Sequence, residues 1–85
     1  MDTANVTIGL AWTKISTDDS SPIVAQFYSG GSYEVGITSA DSAPSGVHGH
    51  SVVGQNTAIT RDLFASGYIW VRTVQGASVT FVVTQ

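Results

Sequence analysis

The last third of the chain sets the terms for the rest. Gly67-Tyr68-Ile69-Trp70-Val71-Arg72-Thr73-Val74 and Ser78-Val79-Thr80-Phe81-Val82-Val83-Thr84 are two runs rich in β-branched and aromatic residues, separated by Gln75-Gly76-Ala77. Such side chains lose rotamer freedom in a helix and pack well on a pleated surface, so both runs predict strands. The short Gly-containing connection predicts that they pair as an antiparallel hairpin. No window of the 85 residues repeats apolar side chains at helical spacing over three turns.

Upstream, the same period of two returns in shorter pieces. Residues 6–15 alternate, with Val6, Ile8, Leu10 and Trp12 on one side and Thr7, Gly9, Ala11 and Thr13 on the other, which predicts one half-buried strand. Thr17-Asp18-Asp19-Ser20-Ser21-Pro22 interrupts it with residues whose side chains bond their own backbone or fix φ, a surface turn. Residues 23–28 and 33–38 predict a second and third strand, and Gly30-Gly31 between them offers the positive φ of a tight hairpin turn. In the third strand Tyr33, Val35 and Ile37 share a face opposite Glu34, Gly36 and Thr38. Residues 39–49 are too rich in Gly, Ser and Pro for a strand, residues 50–53 and 57–60 predict two short ones, and residues 61–67 hold a single helical turn or none. Seven or eight short strands about ten residues apart predict one all-β domain over residues 1–85, a small antiparallel β-sandwich, jelly-roll-like or barrel-like.

A chain of this length hides only about two-thirds of its unfolded surface, so its core is marginal unless something supplements it. There is no cysteine, which removes disulfides and thiolate metal sites. Charged residues are 11% of the chain, well under the roughly one-quarter of an average domain, and self-association is the supplement that so neutral a surface permits. Lys14, Arg61 and Arg72 are the only bases in a chain of net charge -3, too scattered to neutralise a run of phosphates, so nucleic acid is not expected as a partner. Met1-Asp2-Thr3-Ala4-Asn5 lacks the basic and apolar regions of a secretory signal, and no apolar run nears the ~20 residues of a helical span. Neither secretion nor a membrane is expected, and the sequon Asn5-Val6-Thr7 is read as chance.

Chemistry-bearing residues are few. In extended backbone residues two apart point to one side, so His48 and His50 are the metal candidates, with Asp41 the one carboxylate near in sequence. Two ligands do not define a site, and no metal or cofactor is assigned. Asp18-Asp19 lacks the carboxylate spacing of a calcium loop and reads as a solvated turn. With no cysteine, no Gly-x-Ser-x-Gly elbow and no serine matched to a histidine, no catalytic residue is assigned and no enzyme activity is expected. The aromatic residues are either sugar-stacking platforms or anchors of core and interface. Trp12, Tyr68, Trp70, Arg72 and Phe81 are taken as anchors, because burying large aromatic surface contributes as much as any residue can. Tyr68, Trp70 and Arg72 lie on one face of their strand and Ile69, Val71 and Thr73 on the other. Both faces seek cover, which a neighbouring subunit is expected to provide, with Asp62 or Glu34 as the ionic partner of Arg72.

Val24-Ala25-Gln26, Tyr33-Glu34-Val35-Gly36, residues 43–50 from Ala-Pro to Gly-His, and residues 67–80 with Gly-Tyr-Ile-Trp-Val-Arg and Gly-Ala-Ser-Val-Thr together resemble small proteins encoded among the structural genes of tailed bacteriophages. The resemblance implies a non-enzymatic component of the virion, made in the host cytoplasm. It implies a capsid decoration or cement protein, a homotrimer at the threefold positions of a capsid, contacting the major capsid protein. The alternative it leaves open is a host-recognition module of a head or tail fibre, binding cell-surface carbohydrate through exposed aromatics and residues 39–50.

Overall fold

The computed structural model of the chain describes residues 2–29, 31–52, 58–61, 66–74 and 78–85. They form eight strands: β1 (Thr3–Ile8), β2 (Thr13–Lys14), β3 (Val24–Ser29), β4 (Tyr33–Thr38), β5 (His50–Val52), β6 (Ala58–Thr60), β7 (Tyr68–Thr73) and β8 (Val79–Thr84). Every pairing is antiparallel, in two four-stranded sheets ordered β1-β8-β3-β6 and β2-β7-β4-β5. The pairs β1–β8, β2–β7, β3–β6 and β4–β5 nest around the middle of the chain as in one long hairpin, and the pairs β3–β8 and β4–β7 roll that hairpin into two layers. The fold is thus all-β and sandwich-like, with the strand arrangement of a jelly roll.

Alternation within each strand decides what lies between the layers. In β8, Val79, Phe81 and Val83 point inward and are buried, while Thr80, Val82 and Thr84 are only partly covered. Ile69, Val71 and Thr73 of β7, Tyr33 and Val35 of β4, Ala25 and Phe27 of β3, Ile59 of β6 and Ile8 of β1 complete the inner faces, and Ile15 and Ile23 join them from outside the strands. Tyr33 ties the two sheets together. Its ring stacks on Phe27 at 5.4 Å and 19°, and Phe81 stands edge-on to it at 4.8 Å and 84°. Aromatic pairs of this geometry contribute about 0.5–1.5 kcal/mol beyond the burial of their area. Burial also raises the phenol pKa of Tyr33 above its ordinary value of 10.0.

Three expectations about how the strands connect are corrected. The two closing runs are strands, as predicted, but they do not form a hairpin: β7 lies between β2 and β4 in one sheet, and β8 between β1 and β3 in the other. Each inner face needs cover from an opposite layer, which splitting the runs between sheets provides. Sheets stack about 10 Å apart, and at ~3.3 Å per residue five residues suffice to change layers. The second and third strands part in the same way. β3 and β4 belong to different sheets, Gly31 has no positive φ, and Gly30 lies outside the described residues. The alternating run over residues 6–15 is two strands, not one. β1 stops at Ile8, the chain crosses layers, and Leu10, expected on the buried side, is 62% exposed. That crossing is held by the Thr73 N–H, which donates to the Gly9 carbonyl at 2.8 Å. The helical turn considered for residues 61–67 falls mostly on residues 62–65, outside those described, as do residues 53 and 57 of the two short strands.

Candidate functional site

The side chains with chemical potential gather on the outer face of the sheet β2-β7-β4-β5, where residues 39–49 lie across the strands. β7 and β4 pair in a register that sets Glu34 directly opposite Arg72, Gly36 opposite Trp70 and Thr38 opposite Tyr68. Cross-strand neighbours on one face stand close enough to bond, and these do. Arg72 Nε donates to Glu34 Oε2 at 2.7 Å. The backbone N–H of Gly49 donates to Glu34 Oε1 at 3.1 Å, and His48 Nδ1 lies 3.4 Å from the same oxygen. Arg72 also places its guanidinium 4.4 Å from the centroid of the Trp12 ring and donates from Nη2 to the Val47 carbonyl at 3.4 Å.

This cluster is an anchor for residues 47–49. The Glu34 side chain is 9% exposed and its carboxyl pKa lies below the ordinary 4.5, held down first by the hydrogen bond from Arg72 and then by that from Gly49, against the opposing effect of burial. A carboxylate whose charged form is favoured in this way is a weaker base than a free one and serves as a fixed acceptor. Close approach is also why position 49 is glycine. A Cβ there would sit 2.5 Å from the Val35 carbonyl oxygen and 2.9 Å from Trp12 Cη2, both inside contact distance.

The same segment is fixed at its start. Trp70 Nε1 donates to Thr38 Oγ1 at 2.8 Å, and that hydroxyl donates to the Ala40 carbonyl at 2.8 Å. Lys14 Nζ reaches Asp41 Oδ1 at 2.7 Å and sits 5.3 Å from the centroid of the Tyr68 ring. Pro44 and Trp12 pack over Gly36 of β4, close enough that a Cβ there would meet Trp12 Cη2 at 3.1 Å and Pro44 Cγ at 3.2 Å.

The anchors read from the sequence therefore divide. Phe81 is a core residue. Tyr68, Trp70, Arg72 and Trp12 cluster on the outer face of β7, and the cover expected there from a neighbouring subunit comes from the chain's own residues 39–49. Of the two partners considered for Arg72, Glu34 holds it, while Asp62 lies outside the described residues. Residue types alone left these two open, and the signal that separates them is pairing: β4 lies beside β7, so a carboxylate at position 34 falls opposite Arg72.

His48 and His50 both line one open groove of about 220 Å³ with Trp12, Pro44 and Val47. The His48 side chain is 93% exposed and reaches the Glu34 carboxylate with its Nδ1. Asp41, the third ligand considered, is committed to Lys14, and among the described residues no three His, Cys, Asp or Glu side chains converge on one point. Asp18 caps its own turn, accepting from the backbone N–H of Ser20 at 3.0 Å and of Ser21 at 2.6 Å and from the Ser21 hydroxyl. These bonds, the hydroxyl first, lower its pKa from 3.8 to about 2. Arg61 donates to the carbonyls of Ser21, Gly67 and Asp18 at 3.0, 2.8 and 3.3 Å. Each of the three cations of the chain is thus engaged within the fold.

The other sheet looks different from outside. β1, β3, β6 and β8 carry no charged residue along their whole length, and Val24 and Tyr28 of β3 stand 48% and 72% exposed on the outer face. A shallow groove of about 290 Å³ lies there among Gln26, Phe27, Tyr28 and Val82, at the bulge where β3 slips against β8 between Phe27 and Ser29. No protein-family model, curated protein or solved structure matches the chain.

Proposed function

We propose that this chain is a structural protein of a bacteriophage virion, a capsid decoration or cement protein that acts by self-association and surface contact and not by catalysis. The observation that carries the reading is the contrast between the sheets: the charges on strands lie in the covered sheet, where they bind the chain to itself, and the uncharged sheet leaves Val24 and Tyr28 open. A neutral, β-branched surface of this kind suits burial against another protein and gives a phosphate or a nucleic acid little to hold. The resemblance to small structural proteins of tailed bacteriophages supplies the setting. In that setting the protein binds several capsid subunits at once, so that modest single contacts add through effective concentration and brace the shell. Low charge supports self-association, the outer face of β7 is covered from within the chain and no longer argues for a neighbour, and the threefold rests on capsid symmetry alone.

Incubating the purified protein with expanded capsids tests the proposal. The expected result is co-sedimentation with the capsids and a higher capsid melting temperature. Binding to cells or glycans while capsids are ignored overturns it in favour of a fibre module.

A further inference from the structure

We propose that the free edge of β1 is a self-association surface whose occupant is β1 of a second copy of this chain, antiparallel across a twofold axis at Asn5. The inference rests on the self-association in the functional proposal and names its contact. Among the described residues four strands end the two sheets: β1 and β6 in one, β2 and β5 in the other. β6 and β5 have three residues each and β2 has two, whereas β1 has six. Short edges are one device by which sheets avoid joining end to end, and charges and prolines are others. Thr3-Ala4-Asn5-Val6-Thr7-Ile8 uses none of them, and Thr3, Ala4, Asn5 and Thr7 are exposed.

The phase of the β1–β8 ladder decides which backbone groups are open. Asp2 and Gln85 exchange both of their N–H to carbonyl bonds, at 2.8 and 3.1 Å, and from there the register steps evenly from Thr3 opposite Thr84 to Ile8 opposite Val79. Bonded and non-bonded pairs alternate along an antiparallel ladder. Ala4, Val6 and Ile8 therefore bond β8, and the N–H and C=O groups of Thr3, Asn5 and Thr7 point away from it. The 2.7 Å contact between the Thr3 and Thr84 hydroxyls fits this phase, since side chains approach most closely at non-bonded pairs.

A second β1 laid Asn5 against Asn5 sets Thr3 opposite Thr7 at both ends. The three residues with open backbone groups then meet one another, and three bonded pairs give about six backbone hydrogen bonds. Directly opposed residues point to the same face, so Asn5 and the threonines stay on the outer face and Ala4 meets Val6 on the inner one. No like charges are opposed. The two four-stranded sheets become one continuous sheet whose outer face is uncharged from end to end.

The test compares the wild-type chain with Asn5→Lys and Asn5→Pro by sedimentation equilibrium from about 1 to about 200 micromolar, together with backbone amide exchange. Asn5→Lys places like charges across the axis. Asn5→Pro removes an open N–H without touching the bonds to β8, an edge setting in which a strand tolerates proline. The expected result is a wild-type dimer with slowed exchange at the Thr3, Asn5 and Thr7 amides. Asn5→Lys is expected to raise the dissociation constant at least about tenfold, with a melting temperature equal to wild type at a concentration where both chains are monomeric, and Asn5→Pro to weaken association likewise. A wild-type monomer over the whole range overturns the proposal. So does an associated wild type whose three amides exchange at the solvent rate, or an Asn5→Lys chain that associates like wild type. None of these measurements involves capsids. A β1 dimer that ignores capsids supports the edge contact and removes the virion setting, and a monomer that binds capsids does the reverse.

Discussion

The outer face of β2-β7-β4-β5 carries Lys14, Glu34 and Arg72 and is roofed by residues 39–49, whereas the outer face of β1-β8-β3-β6 carries no charge and leaves Val24 and Tyr28 open. The two inner faces are alike, alternating apolar residues meeting in one core. What separates the sheets is where the chain's few charges lie. A partly buried ion pair needs its remaining polar groups satisfied, and Glu34 and Arg72 meet that need by bonding the Gly49 and Val47 backbone. Their sheet thereby acquires a roof and becomes self-contained. The strands of the other sheet carry no such charged pair, and Val24 and Tyr28 stay exposed on its outer face.

The contrast can be broken at three points. Trp70 is 8% exposed beneath the roof, and Trp70→Ala is expected to destabilise the fold by about 3–5 kcal/mol, read from urea unfolding. That is a large part of the roughly 5–15 kcal/mol that holds a typical domain. A variant as stable as wild type would mean that the roof contributes nothing.

Acid should act on one sheet before the other. The Glu34 pKa is lowered in the folded state, so its contribution is complete above the ordinary value of 4.5 and is lost as the pH falls below it through the folded value. Asp18, lowered to about 2, loses its turn over the window from 3.8 down to that value by the same sign. The strands of the other sheet hold no carboxylate and no histidine. Acid titration followed by tryptophan fluorescence, which reports Trp12 and Trp70 under the roof, is expected to change before far-ultraviolet circular dichroism does. Coincident transitions would show that the roof and the sheets are one cooperative unit.

The smallest effect is expected on the open face. Tyr28 is 72% exposed, and Tyr28→Ala should change the stability of the isolated subunit by less than about 0.5 kcal/mol in the same urea assay, at a concentration where the chain is monomeric. A loss comparable with that of Trp70→Ala would place Tyr28 in the fold's own packing and erase the difference between the faces.

Much of the local structure was legible. The run from Tyr33 to Thr38 is a strand at the bounds expected, with Tyr33 and Val35 inward as period two requires, and Ile69, Val71 and Thr73 fill the inner face of β7. The irregular stretch over residues 39–49 forms no strand. At the candidate site, the residue types that matter were visible in Trp12, Trp70, Arg72, Glu34 and His48, but not the fact that they gather on one face. His48, the metal candidate of the sequence, lies beside the Glu34 carboxylate. Glu34 was one of two carboxylates open to Arg72, and no local signal chose it, because the interaction that employs it comes from a residue 38 positions away.

The sequence by itself determined that this chain is built of strands and, for the run from Tyr33 to Thr38, which residues share a face, because side-chain alternation and β-branched composition are local properties. The tertiary structure alone decided which strands are partners. It parted β7 from β8 and β3 from β4, rolled the chain into two sheets, and laid residues 39–49 over one of them. Backbone pairing groups are the same in every strand, so nothing within a strand names its neighbour. The choice falls to whichever arrangement covers all the apolar faces at once, and that is a property of the whole chain.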